Sequence, residues 1–240
     1  MPVIANISAS EQGIAFVSGE PDWGPARDDA GDLATYNEYT STTSVNNAIG
    51  VILTTRGGNL YQIYRTFLVF DVSSITSGGT ITNLKLAISG STNNSADVIV
   101  VAADAFGGGS GGGSFTSPDY SSWSPDSPTD YSSTFTTWAT SGFNSITLNN
   151  TAVTASNNQG YLNLAIVEKD FDYDNIDPSG PFPSGISATD GAVFRFGAYP
   201  SLEITYLTSG YGNIVNGVTS ANLGAVDGVL KANISKVNGV

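Results

Sequence analysis

Between Leu60 and Ile75 the chain reads LYQIYRTFLVFDVSSI, and its side chains alternate with a period of two. Tyr61, Ile63, Arg65, Phe67, Val69 and Asp71 fall on one face, with Tyr64, Leu68, Phe70 and Val72 on the other. Both faces are largely apolar, so the pattern predicts a central strand covered on both sides. A turn signal at Ser77-Gly78-Gly79 follows, then ITNLKLAISG, where Ile81, Leu84, Leu86 and Ile88 mark a second strand, and VIVVAADAF marks a third. FNSITLNN and GYLNLAIVEKDF are two more candidates, and GAVFRFGAYPSLEITYL supplies one or two, ending on Leu202, Ile204 and Tyr206 alternating with Glu203 and Thr205. Ile14–Val17 and Ile49–Leu53 are shorter apolar runs near the start. About eight to ten strands before residue 208 predict an all-β sandwich.

The segments between these strands are polar and rich in turn formers. EPDWGPARDDAGD, with two prolines and four aspartates, reads as an exposed loop carrying Trp23. FGGGSGGGSF, residues 106–115, lacks apolar area to offset its ordering and predicts a mobile loop at the edge of the sandwich. No Lys-Ser/Thr follows these glycines, so they do not form a phosphate-cradling loop. Next comes a Ser/Pro/Asp-rich stretch punctuated by Tyr120, Trp123, Tyr131, Phe135 and Trp138. Two readings stand for Tyr120, Trp123, Tyr131 and Trp138: exposed faces that stack on sugar rings, or anchors that pin a long loop to the sandwich.

The C-terminal pattern is different. From Val215 the chain runs VNGVTSANLGA, VDGVLKANISK, VNGV, an eleven-residue repeat opened each time by Val-Asx-Gly-Val. Asn-Gly and Asp-Gly favour tight reversal, and glycine inside a helix costs about 1 kcal/mol, so extended segments and turns are expected over a helix. Val215, Val218, Leu223, Val226, Val229, Ile234 and Val237 are the sizeable apolar positions, too few per unit to bury one another. Such units need neighbours to form a core, which predicts oligomerisation or docking through these residues, against the alternative of a loose tail. The chain thus divides into a sandwich over residues 1–207 and an extension over residues 208–240.

Composition narrows the chemistry. Cysteine and histidine are absent from all 240 residues, which removes disulfides, thiolate or imidazole metal ligands, cysteine nucleophiles and histidine-dependent triads. Eight Lys plus Arg against twenty-one Asp plus Glu give a formal charge of −13, with no basic stripe, so electrostatics oppose nucleic-acid binding. No stretch of about 18 apolar residues predicts membrane insertion. MPVIANISASEQG has neither a basic n-region nor a continuous apolar core, so with Met1 as start the chain is expected to fold in the cytosol.

Asp170, Asp172, Asp174 and Asp177 alternate in DFDYDNIDP, a set of hard oxygen donors suited to a structural calcium or to a solvated acidic turn. The EF-hand pattern fails, because Asn175 stands at the turn glycine and Pro181 at the bidentate glutamate. Glu168 and Asp170 are a nominal carboxylate pair for glycoside hydrolysis, but nothing places them at the needed separation. The expectation is a protein that is not an enzyme and has no cofactor beyond that calcium.

The run YRTFLVFDVSSITSGGTITNLKLAISG, with Arg65, Phe67, Phe70, Asp71, Val72, Ile75, Gly78, Ile81, Leu84 and Leu86, resembles the signature of DNRLRE-type domains, which belong with carbohydrate-binding-module-like jelly rolls. PSLEITY, residues 200–206, resembles the closing strand of the same family, and Trp123 or Trp138 stands near its mid-domain tryptophan. The resemblance implies a jelly-roll sandwich borne on surface or extracellular proteins, with a carbohydrate-binding or adhesive role. Val215–Gly217, Val226–Gly228 and Lys236–Val240 resemble the VNGV and ANI repeats that end many virion proteins of tailed bacteriophages. That second likeness implies a virion structural protein, a decoration, fibre or tail-associated jelly roll. It would be made in the host cytosol, displayed on the virion surface, and partnered by its own copies, other virion proteins and host glycans.

Overall fold

The computed structural model describes residues 2–38, 46–54, 60–94, 97–109, 111–178, 188–195, 200–208, 225–226 and 229–230. Among these residues eleven strands precede residue 209: β1 (Pro2–Ser8), β2 (Glu11–Glu20), β3 (Thr35–Glu38), β4 (Asn46–Thr54), β5 (Leu60–Asp71), β6 (Gly79–Asn94), β7 (Val98–Ala102), β8 (Phe143–Thr147), β9 (Tyr161–Glu168), β10 (Ala188–Arg195) and β11 (Ser201–Thr208). Every pairing among them is antiparallel, and they form the two layers of a β-sandwich. One layer runs β1, β11, β6, β8. In the other, β5 is central, flanked by β2 on one side and on the other by β4 and then β9, which follow one another along the same edge.

The layers are joined through β6. Its first part pairs with β11 and β8, and its end turns to pair with β10, which in turn pairs with β4. Gly90 sits at this corner, opposite Phe194 where the register shifts by a bulge. A Cβ there would lie 1.8 Å from the Ala139 carbonyl oxygen, so the chain can pass only without a side chain.

The predicted two-sided burial of β5 holds. Leu68, Phe70 and Val72 enter the core between the layers, with Leu84, Leu86 and Ile88 of β6, Leu162 and Leu164 of β9, and Leu202 and Ile204 of β11. Ile63, Phe67 and Val69 enter a second core on the opposite face, with Val17, Val51, Leu53, Phe106, Phe115, Tyr120 and Trp123. No third sheet covers that second face among the described residues; loops do. The 106–115 stretch expected at an edge therefore has its ends in a core: the Phe106 and Phe115 rings stack with centroids 4.7 Å apart, and Phe115 lies 5.6 Å from Phe67. The glycines let the turn close on itself, with the Gly113 N–H donating to the Phe106 carbonyl at 2.9 Å.

A helix that strand periodicity did not predict, α3 (Asn150–Gln159), follows two shorter ones, α1 (Trp23–Arg27) and α2 (Ser73–Thr76). The Asn149 side chain caps α3 by accepting from the N–H groups of Thr151 and Ala152, and Gly160 ends it in the left-handed region at φ 72°. Beyond the sandwich, Ala225–Val226 (β12) pairs with Val229–Leu230 (β13), Val226 opposite Val229. Gly90→Ala is expected to cost about 2–3 kcal/mol through the clash at the corner, measured as a lower urea midpoint with unchanged slope.

Candidate functional site

A buried polar assembly is built on Arg65, in the middle of β5. Its guanidinium is fully buried and donates to Asp172 through both ends of a fork, Nε to Oδ2 at 2.8 Å and Nη2 to Oδ1 at 2.6 Å. Nη1 donates to the Tyr120 carbonyl at 2.9 Å, and Nη2 also donates to the Arg27 carbonyl at 2.8 Å. The plane lies 3.8 Å from the Tyr120 ring centroid and 5.1 Å from that of Trp123. Burial acts most strongly on this group and works against its charge, yet Asp172 and the surrounding acids outweigh it, holding the guanidinium above its usual range.

Each partner is itself held. Asp172 belongs to a single π-helical turn, Lys169–Tyr173, that leaves β9. Buried Glu168 fixes this turn by accepting from the N–H groups of Asp170, Phe171 and Asp172 at 2.6, 2.9 and 3.0 Å. Arg27, also buried, donates to the Asp172 and Pro125 carbonyls at 2.7 and 2.9 Å and pairs with Asp28. The Tyr120 hydroxyl donates to the Ala26 carbonyl at 2.7 Å, and burial drives its pKa far upward, so it stays a neutral donor. Four distant segments thus converge: the 22–34 loop, β5, the 116–125 loop and the π turn. The fork is engaged by Asp172 and by two backbone carbonyls, so the arrangement is chemically a clamp that ties these segments together.

The 22–34 loop expected to be solvated is accordingly part of the interior. Besides Arg27, Asp29 is buried and accepts from the backbone N–H groups of Gly31, Asp32, Leu33 and Ala34 at 2.9–3.1 Å. A single carboxylate satisfying four amides explains why an acidic loop can lie against a core.

The four proposed sugar-stacking aromatics are core residues. Tyr120, Trp123, Tyr131 and Trp138 are only 0, 1, 7 and 5% exposed, so none offers a ring face to a ligand. They are not gathered either: Tyr120 and Trp123 belong to the second core, Tyr131 and Trp138 to the core between the sheets. The physical reason is that the outer face of the central sheet must be covered, and large aromatics on a loop bury the most apolar area per residue. The anchor reading of these rings is the one the structure supports.

The acidic run does not continue β9 as a strand. Asp172 is engaged by Arg65, Asp174 accepts from Lys169 at 2.5 Å, and Asp177 accepts from the Tyr61 hydroxyl at 2.7 Å. Asp170 is exposed, with its pKa raised by partial burial and then by the charges of Asp97 and Asp174. Among the described residues no group of three or more acidic side chains converges as a metal cage. Glu168, paired with Asp170 as a nominal hydrolytic couple, spends its oxygens on the π turn. Of the repeat positions, Val215, Val218, Leu223, Ile234 and Val237 lie outside the described residues, while Val226 and Val229 are backbone partners in the β12–β13 pairing.

The clamp was open to discovery from one signal. An arginine at an inward position of an otherwise apolar strand needs a buried acid. Its partner, 107 residues away, was not identifiable by spacing. No helix among the described residues is long and apolar enough to cross a membrane. No family model matches this chain, and no curated protein matches it in sequence.

Removing one member of the clamp strands the other charge in the interior. Arg65→Met and Asp172→Asn are each expected to lower stability by about 3–5 kcal/mol, and the double variant by clearly less than the sum, as read in a double-mutant cycle of urea unfolding. Because the acids of the run are engaged separately, millimolar calcium and chelator are expected to give the same melting temperature.

Proposed function

We propose that this chain is a structural building block, a non-enzymatic β-sandwich that assembles with copies of itself through its C-terminal repeat, as virion decoration, fibre or tail-associated proteins do. The observation that carries the reading is the pairing of β12 with β13. Val226 and Val229 are antiparallel partners with Asp227-Gly228 between them in the sequence, so the residues on either side of that pair run as extended strand. A hairpin with two residues in each strand has too little area to stabilise itself in water. The valines and isoleucines of the repeat therefore need a surface from another unit, and identical chains supply one at no cost in new sequence.

The clamp supports the same reading. Buried charge at Arg27, Arg65, Glu168 and Asp172 is committed to cross-linking loops and strands, which suits a domain selected for persistence of shape. The likeness of the repeat to those of tailed-phage virion proteins supports placement on a particle surface after synthesis in the host cytosol. The glycan-adhesive alternative loses the four aromatics that carried it.

Deletion of residues 209–240 should leave the sandwich folded and reduce the particle to a single chain in multi-angle light scattering. An oligomer of unchanged mass after the deletion contradicts the proposal.

A further inference from the structure

Strand β1 reads PVIANIS and is the free edge of its sheet, paired among the described residues with β11 alone. It carries no charge, and Ile4 is 65% exposed. Such an edge is a template for another strand, because its one guard is Pro2 at the first residue, and the lysine or bulge that ordinarily blocks an exposed edge is missing. Its direction is fixed: the Ala9 N–H donates to the Pro200 carbonyl at 3.0 Å. By the alternation of an antiparallel ladder, the N–H groups of Val3, Ala5 and Ile7 then face β11, and those of Ile4, Asn6 and Ser8 face outward, open to a partner.

The tetrapeptide Ala5-Asn6-Ile7-Ser8 recurs unchanged as Ala232-Asn233-Ile234-Ser235 in the second repeat unit. Leu230, Ala232 and Ile234 reproduce the apolar alternation of Val3, Ala5 and Ile7, while Lys231 and Lys236 flank the copy where β1 has Ile4 and Ala9. We infer that residues 230–235 of a second copy of this chain add to the free edge of β1 as an antiparallel strand. This rests on the reading that the repeat drives assembly, and it names the surface that receives it.

One register satisfies both faces. With Ala232 opposite Ala5, Ile234 meets Val3 and Leu230 meets Ile7, extending the inner stripe that Leu202, Ile204 and Tyr206 form on β11. On the outer face Asn233 covers the exposed Ile4. Lys231 falls in the cross-strand row of Asn6, Glu203 and Lys85, so the Glu203 carboxylate, already 3.1 Å from the Lys85 amine, lies between two lysines. Charge favours the same match: the extension has two lysines and one aspartate, on a chain whose net charge is −13. The lysines of the added strand then guard the new edge, so that growth stops after one strand.

The absence of cysteine makes the register testable by cross-linking in the full chain. In this ladder Ile4 and Asn233 form a hydrogen-bonded pair with Cα atoms about 5.5 Å apart, within disulfide reach. Mixing the Ile4→Cys and Asn233→Cys single variants under mild oxidation should give a covalent dimer. The Ser8→Cys and Asn233→Cys mixture, about 13 Å out of register, should not. Asn6→Pro removes an outward N–H and leaves the β11 ladder intact; Lys231→Pro does the same from the donor strand, outside the sandwich. Both should abolish the dimer band. A band no stronger than the off-register control, or one that survives both prolines, overturns the inference. So does a disulfide that forms only within one chain carrying both cysteines. If light scattering still shows an oligomer in that case, assembly by the repeat stands and only this docking edge is wrong.

Discussion

The fold depends on one buried guanidinium. Arg65 stands in the middle of the strand around which the larger sheet is arranged, at a position whose neighbours on the same face, Ile63 and Phe67, are buried apolar residues. A charge there is tolerable only when its donors are met, and meeting them required Asp172, two backbone carbonyls and two aromatic rings from separate parts of the chain. The loops that supply these groups are thereby fixed in place. Arg65 thus sets the path of the chain over the outer face of the sheet.

That outer face explains much of the remaining architecture. A sandwich ordinarily has one core; this one has a second, roofed by irregular chain. Irregular chain over a core carries many backbone groups that need partners. They are met locally, by Asp29 under one loop, by Glu168 under the π turn, and by Asp119, which accepts from the Thr116 N–H at 2.7 Å. Glycine-rich sequence serves here as a closure between two buried phenylalanines.

The strands were legible in the sequence wherever alternation was strong. β5, β6, β9 and β11 followed from their valine, leucine, isoleucine and phenylalanine spacing, and so did the burial of β5 on both faces. β1 escaped because only Ala5 and Ile7 are partly buried, so its pattern is that of an edge. α3 escaped because its apolar contribution is confined to small residues such as Ala152, Val153 and Ala155, although Asn149 and Gly160 marked its two ends. The aromatics of the long loop were visible, but sequence left open whether they anchored the loop or faced a ligand. Nothing local could show that the sheet beneath them needed a cover. The acidic run admitted a shared calcium or a solvated turn, and its spacing could not show that the π turn directs Asp172 inward to a partner on another strand.

The buried charges of the clamp are paired with one another and with backbone groups, while on the uncharged edge of β1 Ile4 is left 65% exposed. The most direct test of assembly as the function is sedimentation velocity of the full chain over a wide concentration range. The account predicts one defined species of several chains, each of 24.8 kDa; a single 24.8 kDa species at every concentration would contradict it.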